Sequence, residues 1–464
     1  MKRALFIFRR DLRLQDNRGL LSALKAADEV ILSFIFTPEQ IEQNVFRSDR
    51  CLQFMIESLE DLEIEISEQK GRLHLFYGKP EKIVQECIKK LEVRGVFVNH
   101  DYSPYSIQRD QKIIDVCNQL SVSFQAAHDL LLHPIEDTLK RDGQPYTIFT
   151  PFYRNASKLD VCRPEENSHH RYYAKTILFS EERSIYKKIL KKRKIQAPGG
   201  RQAGLEIINH LETFSKYASE KELPALDKTT HLSAHLKFTT CSTREVYYAI
   251  INSLGPHSEL IWSLYWRDFF TLIAFHFPHV FKGAFKAQFD HLAWKNDERT
   301  FNAWCQGKTG FPIVDAGMRE LNQTGFMHNR VRMITASFLI KDLHLSWQWG
   351  EKYFAQHLID YDPAVNNGNW QWAASTGCDA QPYFRIFNPW LQAKKFDSNC
   401  VYIKRWVPEL DSLPPEVIHT WYLKKYHGLC KDYPPSLIDH SREAAITLKS
   451  YQRVATCSIK DPRR

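Results

Sequence analysis

The hydrophobic period changes once along this chain, and that change limits its fold more than any other feature. Up to Asp129, apolar runs of strand length alternate with segments of helical period; beyond Gly200 the helical period runs almost alone. Leu5-Phe6-Ile7-Phe8, Val30 to Phe36, Leu73 to Tyr77 and Val96 to Asn99 read as buried strands. Cys51 to Ser67 and Pro80 to Leu91 read as amphipathic helices between them. This order predicts an α/β fold over residues 1–128, a Rossmann-like parallel sheet built from βαβ units with helices on both faces. The first strand lacks the G-x-G-x-x-G of a dinucleotide-binding turn. It runs instead into Arg9-Arg10-Asp11-Leu12-Arg13, which by itself is a charged βα turn.

Residues 129–200 read as an interdomain linker with some helical pieces, because Pro134, Pro145, Pro151, Pro164 and Pro198-Gly199-Gly200 interrupt any regular pattern. A basic run, Arg183, Lys187, Lys188, Lys191 to Lys194 and Arg201, is either a solvated face or a contact with nucleic acid. Residues 201–464 read as an all-α domain, with helical runs at Gly204–Tyr217, Thr243–Ser253, Leu260–Phe277, Phe326–Leu345 and Gly350–Ile359. All 11 tryptophans lie between Trp262 and Trp421. That bias sets the second half apart, as a large aromatic core or as something more specific.

Composition removes several classes. A chain of 464 residues with 43% hydrophobic and 25% charged residues is neither disordered nor fibrous. No run approaches the ~20 apolar residues of a spanning helix. The opening Met1-Lys2-Arg3-Ala4-Leu5-Phe6-Ile7-Phe8-Arg9-Arg10 is too short in apolar residues for a signal peptide. The 10 cysteines form no C-x-x-C, the nearest pair being Cys378 and Cys400, so no metal site is expected and the thiols are expected reduced in the cytosol. A net charge of +9 permits an anionic partner without naming it.

Five segments are more specific: Gly307-Lys308-Thr309-Gly310-Phe311-Pro312-Ile313-Val314-Asp315-Ala316, Met327-His328-Asn329-Arg330-Val331-Arg332-Met333-Ile334, Leu358-Ile359-Asp360-Tyr361-Asp362, Asn366-Asn367-Gly368-Asn369-Trp370-Gln371-Trp372-Ala373-Ala374-Ser375-Thr376-Gly377 and Pro382-Tyr383-Phe384-Arg385-Ile386-Phe387-Asn388-Pro389. With Phe8-Arg9-Arg10-Asp11-Leu12-Arg13-Leu14 they resemble the DNA photolyase/cryptochrome family, and most closely its class I cyclobutane pyrimidine dimer photolyases. The resemblance runs over nearly the whole chain. It implies an antenna-binding α/β domain at 1–128 and an FAD-binding catalytic domain at 201–464. One FAD per chain, active in its reduced anionic form, is implied, together with DNA containing pyrimidine dimers as partner, a monomeric state and no membrane.

The resemblance also assigns residues. Lys228-Thr229-Thr230-His231-Leu232-Ser233 is similar to the diphosphate-binding loop, where hydroxyls and main-chain N–H groups donate to phosphate; read alone it is a polar loop capping a helix. Relatives commonly carry Arg in place of His231, so a neutral His removes one fixed charge there and leaves Lys228. Tyr217, Trp266, Arg267 and Asn329 match cofactor contacts. Asn329, Arg332 and Met333 share one helix face at i, i+3 and i+4. Arg332 is expected to pair with Asp360 beside the flavin, and Asp362 to accept from a flavin N–H; without the family these are a surface ion pair and an N-cap carboxylate. Asn366 matches the residue facing flavin N5, where photolyases typically carry Asn, plant cryptochromes Asp and animal ones Cys.

Trp294, Trp347 and Trp370 match the chain of indoles that carries an electron from the surface to the flavin; composition alone makes each a core aromatic. Trp266, Trp372, Asn329, Arg330, Met333 and Lys221 match positions lining the pocket for a flipped-out lesion. Ser263 departs from the pattern, since relatives usually place Glu there to hydrogen-bond the lesion. A serine reaches it only through water, or Glu259 one turn earlier takes over. The implied activity is light-driven cleavage of the carbon–carbon bonds of the dimer by electron transfer from excited reduced FAD. The alternative is a cryptochrome-type blue-light receptor without repair, disfavoured by Asn366 and favoured by Ser263. A (6-4) photolyase would carry a His-His pair where Met327-His328-Asn329-Arg330 stands, and a DASH-type cryptochrome would not read Trp370-Gln371-Trp372. A second, light-harvesting chromophore of open identity is also implied; Asp101 in Asn99-His100-Asp101-Tyr102 looks like the deazaflavin-binding type.

Overall fold

The computed structural model describes residues 2–190, 195 and 197–457; Lys191 to Lys194 of the basic run lie outside them. Five parallel strands form one sheet: β1 (Arg3–Phe8), β2 (Glu29–Phe36), β3 (Leu73–Tyr77), β4 (Gly95–Asn99) and β5 (Ser123–Ala127), in the order β3-β2-β1-β4-β5. Ala4 pairs with Val30 on one side of β1 and with Gly95 on the other. The strands are apolar on both faces because both are covered. Phe6, Phe8, Leu32 and Phe34 pack with Phe54 and Leu59 of the Asp49–Glu68 helix. Leu5, Ile7, Ile31 and Val96 pack with Val84 and Ile88 of the Pro80–Leu91 helix and Ile113 of the Pro104–Gln119 helix. The chain runs outward from β1 through β2 to β3 and then crosses back to add β4 and β5 on the other side of β1, so a switch point lies beyond the carboxyl ends of β1 and β4, where Arg9–Asp11 and His100–Tyr102 emerge.

Two details depart from the sequence reading. The fifth strand, Ser-Phe-Gln-Ala-Ala, pairs only with β4 and keeps Ser123 exposed, so as an edge strand it carries no strong apolar signal. The proline-rich stretch after Asp129 is also bonded to the sheet. The main chain of Val30 bonds to Arg171 and Tyr173, and Glu181 N donates to Leu75 O at 2.7 Å, while Tyr172, Ile177 and Tyr186 are buried. These contacts cover edge groups that would otherwise template another strand.

By proximity the chain forms two compact units: Met1–Ser215 with Thr230–Pro278 and Ile359–Asp362, and Lys216–Thr229 with His279–Leu358 and Pro363–Arg464. The limits expected at 128 and 200 both fall inside the first unit. Polar contacts there span those limits: Arg13 and Arg244, both fully buried, donate to Asp129, and Arg244 Nε also donates to Asp16 Oδ2 at 2.9 Å. The Arg-Arg-Asp-Leu-Arg turn is thus part of a buried network, with the Thr243–Leu254 helix supplying Arg244 and the Ser242/Glu245 capping box fixing that helix's start. Phe326–Leu345 does not form one helix. The Asn329–Ser337 helix starts at His328, whose side chain caps it, and runs into a π-helical turn, Phe338–Asp342. Gly204–Tyr217 likewise splits, its helix ending at Asn209 before a 3-10 turn at Leu211–Phe214. Among the described residues no helix is long and apolar enough to cross a membrane, and no group of His, Cys, Asp and Glu could hold a metal ion.

Candidate functional site

In the first unit the expected residues gather on two segments. The Glu259–His276 helix carries Ser263, exposed, and Trp266 and Arg267, half-buried one turn on. Trp266 lies flat on Phe149, with ring centroids 3.7 Å apart and planes 7° from parallel. Arg267 is locked by Nη1 to Leu130 O at 2.9 Å and Nη2 to Leu236 O at 3.0 Å. Its neighbour Asp268 accepts from Leu132 N at 2.9 Å; burial pushes the Asp268 carboxyl up to about 7 despite Arg267.

The second segment, Ile359–Asp362, brings Asp362 against a cation that sequence reading left without a role. Arg10 Nη2 donates to Asp362, its Nε donates to Lys237 O at 3.1 Å, and its Nη1 lies 3.6 Å from Asp101. Burial alone would lift the Asp362 carboxyl, but Arg10, Lys237 and Arg267 together outweigh it and hold the group well below the carboxylate range. Asp362 is therefore a fixed anion that can accept a further N–H. Asp360 is half-buried beside it. Asp101, the expected antenna residue, is also engaged, accepting from Ser106 Oγ at 2.9 Å and from Tyr102 N at 2.9 Å.

The loop expected to hold a diphosphate keeps Lys228 exposed and Leu232 buried. His231 sits at φ 52°, a left-handed conformation, and Ser233 opens the short Ser233–Lys237 helix. Thr230 Oγ1 accepts from Leu232 N at 3.4 Å.

In the second unit, Thr229 Oγ1 is buried with no hydrogen-bond partner. An orphaned hydroxyl in this loop fits a phosphate oxygen, and FAD is the group it suits. Tyr217 and Lys221 bracket a four-residue helix, with the Lys221 ammonium 5.9 Å from the Tyr217 ring centroid. The Asn329–Ser337 helix brings Asn329 to Met333, Nδ2 to Sδ, at 3.9 Å, as their i, i+4 spacing requires. Arg332 Nε donates to Met327 O at 2.7 Å. Arg330 is paired with Glu222, and its guanidinium lies 4.4 Å over the Phe396 ring. A phosphate contact by Arg330 has to share that carboxylate. The start of this helix rests on Glu320, whose Oε2 accepts from Tyr402 at 2.6 Å and from His328 N at 3.2 Å.

The Pro363–Ala374 helix carries Asn366, Trp370 and Trp372. Asn366 is buried and its Nδ2 donates to Glu351 O at 3.1 Å. Trp370 meets Phe354 edge-on at 4.9 Å and Trp304 at 6.4 Å. A Cβ at Gly350 would lie 2.1 Å from the Trp370 ring, so only glycine permits this approach of the Trp347–His357 helix. Trp370 and Trp347 are buried and Trp294 is half-buried, packed against Phe289 and Tyr451. Burial thus decreases along the indoles in the order a route to the surface requires. Arg10, Lys237, Glu351 and Glu320 were missed because their partners are remote in sequence; the Arg-Arg-Asp-Leu-Arg turn was the one available signal for Arg10.

Comparison with known proteins covers the same stretches of the chain. The family model for the FAD binding domain of DNA photolyase matches residues 260–453, and the DNA photolyase model matches residues 4–168. A deoxyribodipyrimidine photo-lyase of Vibrio cholerae is 36% identical, over 96% of this chain and 98% of its own. The archaeal photolyase of Sulfolobus tokodaii, solved with two FAD molecules, is 41% identical and superposes with a TM-score of 0.88, over 97% of this chain and all of its own. A class III photolyase of Agrobacterium tumefaciens, 33% identical, gives a TM-score of 0.91 over 98% of both chains. Sheet order, the helical FAD-binding region and full-length identity therefore agree, and the chain belongs to the DNA photolyase family.

Proposed function

We propose that this protein repairs cyclobutane pyrimidine dimers in DNA under blue or near-ultraviolet light, acting as a monomeric carbon–carbon lyase. The observation that carries the reading is the Pro363–Ala374 helix, on which a buried neutral amide, a buried indole and a half-buried indole follow one another at Asn366, Trp370 and Trp372. Bound FAD in its reduced state, excited by light, supplies the electron that opens the dimer and takes it back afterwards.

The chain's residues do the rest. Thr229, Thr230 and Ser233, with Lys228 nearby, hold the diphosphate, and Tyr217, Leu232, Arg267 and Asn329 border the cofactor. Asp362, kept ionised by Arg10, Lys237 and Arg267, accepts an N–H of the ring system. Arg332 and Asp360 are each assigned to the flavin. Trp294, Trp347 and Trp370 relay electrons inward to restore the reduced state. Trp266 and Trp372 each give a flipped pyrimidine a flat apolar surface, and Met333 is assigned to the same lesion. Lys221 and Arg330 meet flanking phosphates.

The test is to illuminate reduced, FAD-loaded protein with a dimer-containing oligonucleotide. Intact thymines are expected. Ser263 favours the rival, a photoreceptor without repair, and no conversion with FAD bound and reduced would select it.

A further inference from the structure

Behind Asn366 lies a buried ladder of amides that the proposed repair does not use. Asn367 Nδ2 donates to Glu351 Oε1 at 2.8 Å and to Val280 O at 3.0 Å. One turn on, Gln371 Nε2 donates to Asn367 Oδ1 at 3.1 Å and to Val280 O at 3.0 Å, while Gln371 Oε1 accepts from Phe285 N at 2.8 Å. The ladder pins the rotation of the Pro363–Ala374 helix about its own axis. The close approach at Gly350 brings the next residue, Glu351, within reach of both asparagines. Asn366 faces the main-chain oxygen of Glu351. A carbonyl oxygen carries no hydrogen, so the Asn366 atom turned toward it is the NH₂, and the amide oxygen is left for the other side.

We propose that Glu351 is a positioning residue for bound FAD: its main chain fixes the Asn366 amide and its carboxyl fixes Asn367, so that Asn366 offers the flavin edge an acceptor and not a donor. The inference rests on the reading that Asn366 faces flavin N5. An acceptor there suits the reduced ring, whose N5 carries a hydrogen, and disfavours the oxidised ring, whose N5 carries a lone pair. Glu351 therefore biases FAD toward reduction without touching it. Burial pushes the Glu351 carboxyl up to about 7, with the Asn367 bond opposing. Near pH 6 the group is mostly neutral, and glutamine reproduces both its shape and its acceptor.

The experiment is a spectroelectrochemical titration of the FAD-loaded full chain at pH 6, with FAD content measured in parallel, for wild type, Glu351→Leu, Glu351→Gln and Asn366→Ala. Glu351→Leu is expected to shift the equilibrium tenfold toward oxidised FAD, about 30 mV for a two-electron couple. Glu351→Gln is expected to keep the wild-type potential. An unchanged potential in Glu351→Leu, or a lowered one in Glu351→Gln, overturns the positioning role while Asn366→Ala still lowers the potential. An unchanged potential in Asn366→Ala overturns instead the reading that Asn366 meets the flavin, and the inference falls with it. Should Glu351→Leu not retain FAD, Asn367→Leu breaks the same link from its other end, and an unchanged potential there is equally decisive.

Discussion

Asp362 and Glu351 are both buried carboxyls close to residues assigned to the cofactor, one in each compact unit, and their chemistry is opposite. Asp362 is surrounded by Arg10, Lys237 and Arg267, and these cations hold it ionised against the cost of burial. Glu351 is met by an amide, Asn367, whose hydrogen bond does not outweigh burial, so its carboxyl rises to about 7. Burial alone therefore does not decide whether a carboxyl is charged; the neighbours do. The signs of pH dependence follow. A depressed pKa contributes stability above the unfolded value of about 3.9 and loses it as pH falls through the folded value. A raised pKa contributes stability below the unfolded value of about 4.3 and loses it as pH rises toward about 7.

The comparison breaks first at Arg10. Arg10→Met takes from Asp362 the cation that hydrogen-bonds it, and is expected to cost about 3 kcal/mol at pH 7. Protonating Asp362 relieves that penalty, so the loss should shrink on going from pH 7 to pH 3, below the unfolded value of about 3.9. Urea unfolding at both values checks it, and a loss independent of pH would mean that Asp362 is not held as an anion by Arg10. In the other unit Glu351→Gln removes the titrating proton and keeps the acceptor. The variant is expected to match wild type near pH 4 and to be more stable by about 2 kcal/mol at pH 8, where wild type must ionise a buried group. Equal stability at pH 8 would place Glu351 among ordinary carboxyls.

A smaller effect separates hydrogen bonding from charge. Gln371→Leu leaves Phe285 N, Asn367 Oδ1 and one lone pair of Val280 O without this partner, at an expected cost of about 1.5 kcal/mol. Unlike the two changes above, this cost should not vary between pH 5 and pH 8, because no group in the broken bonds titrates there. A chemical denaturation series across that range reads it directly.

How far the sequence foretells these two regions differs for a physical reason. Strands β1 to β4 announce themselves because sheets covered on both faces need continuous apolar runs, and Leu5 to Phe8 or Val30 to Phe36 can be little else. The edge strand β5 escapes because none of its five residues is fully buried. Asn366, Trp370 and the other site residues emerge by motif, and the helices that carry them follow from period. The partners that set their chemistry do not emerge. Arg10 and Asp362 are 352 positions apart, and nothing local in either segment marks the pair. Glu351 reads as one more polar residue on an amphipathic helix; its role comes from the missing side chain at Gly350, which lets Trp370 and the main chain close in. Local patterns report which face is buried. They do not report what a buried polar group will meet.

The smallest expected change in stability is at Trp370, and it separates packing from both polar networks. Trp370→Phe keeps an aromatic ring against Phe354 and Trp304 while vacating some of the space over Gly350. A swap between large apolar residues of this kind costs about 1 kcal/mol. It makes and breaks no hydrogen bond of the Asn366, Asn367 or Gln371 side chains, so FAD should remain bound and the titration of Glu351 should be unaltered. An indole is far easier to oxidise than a phenyl ring, so photoreduction of oxidised FAD should collapse. Repair after reduction with dithionite should persist, because that reaction sends the electron from flavin to lesion and does not draw on the indoles. The measurement is flavin absorbance under blue light in wild type and Trp370→Phe, followed by a repair assay of the chemically reduced proteins. Normal photoreduction in the variant refutes Trp370 as the last relay before the flavin. Repair lost while FAD stays bound and reduced assigns Trp370 instead to the lesion pocket, alongside Trp372 on the same helix.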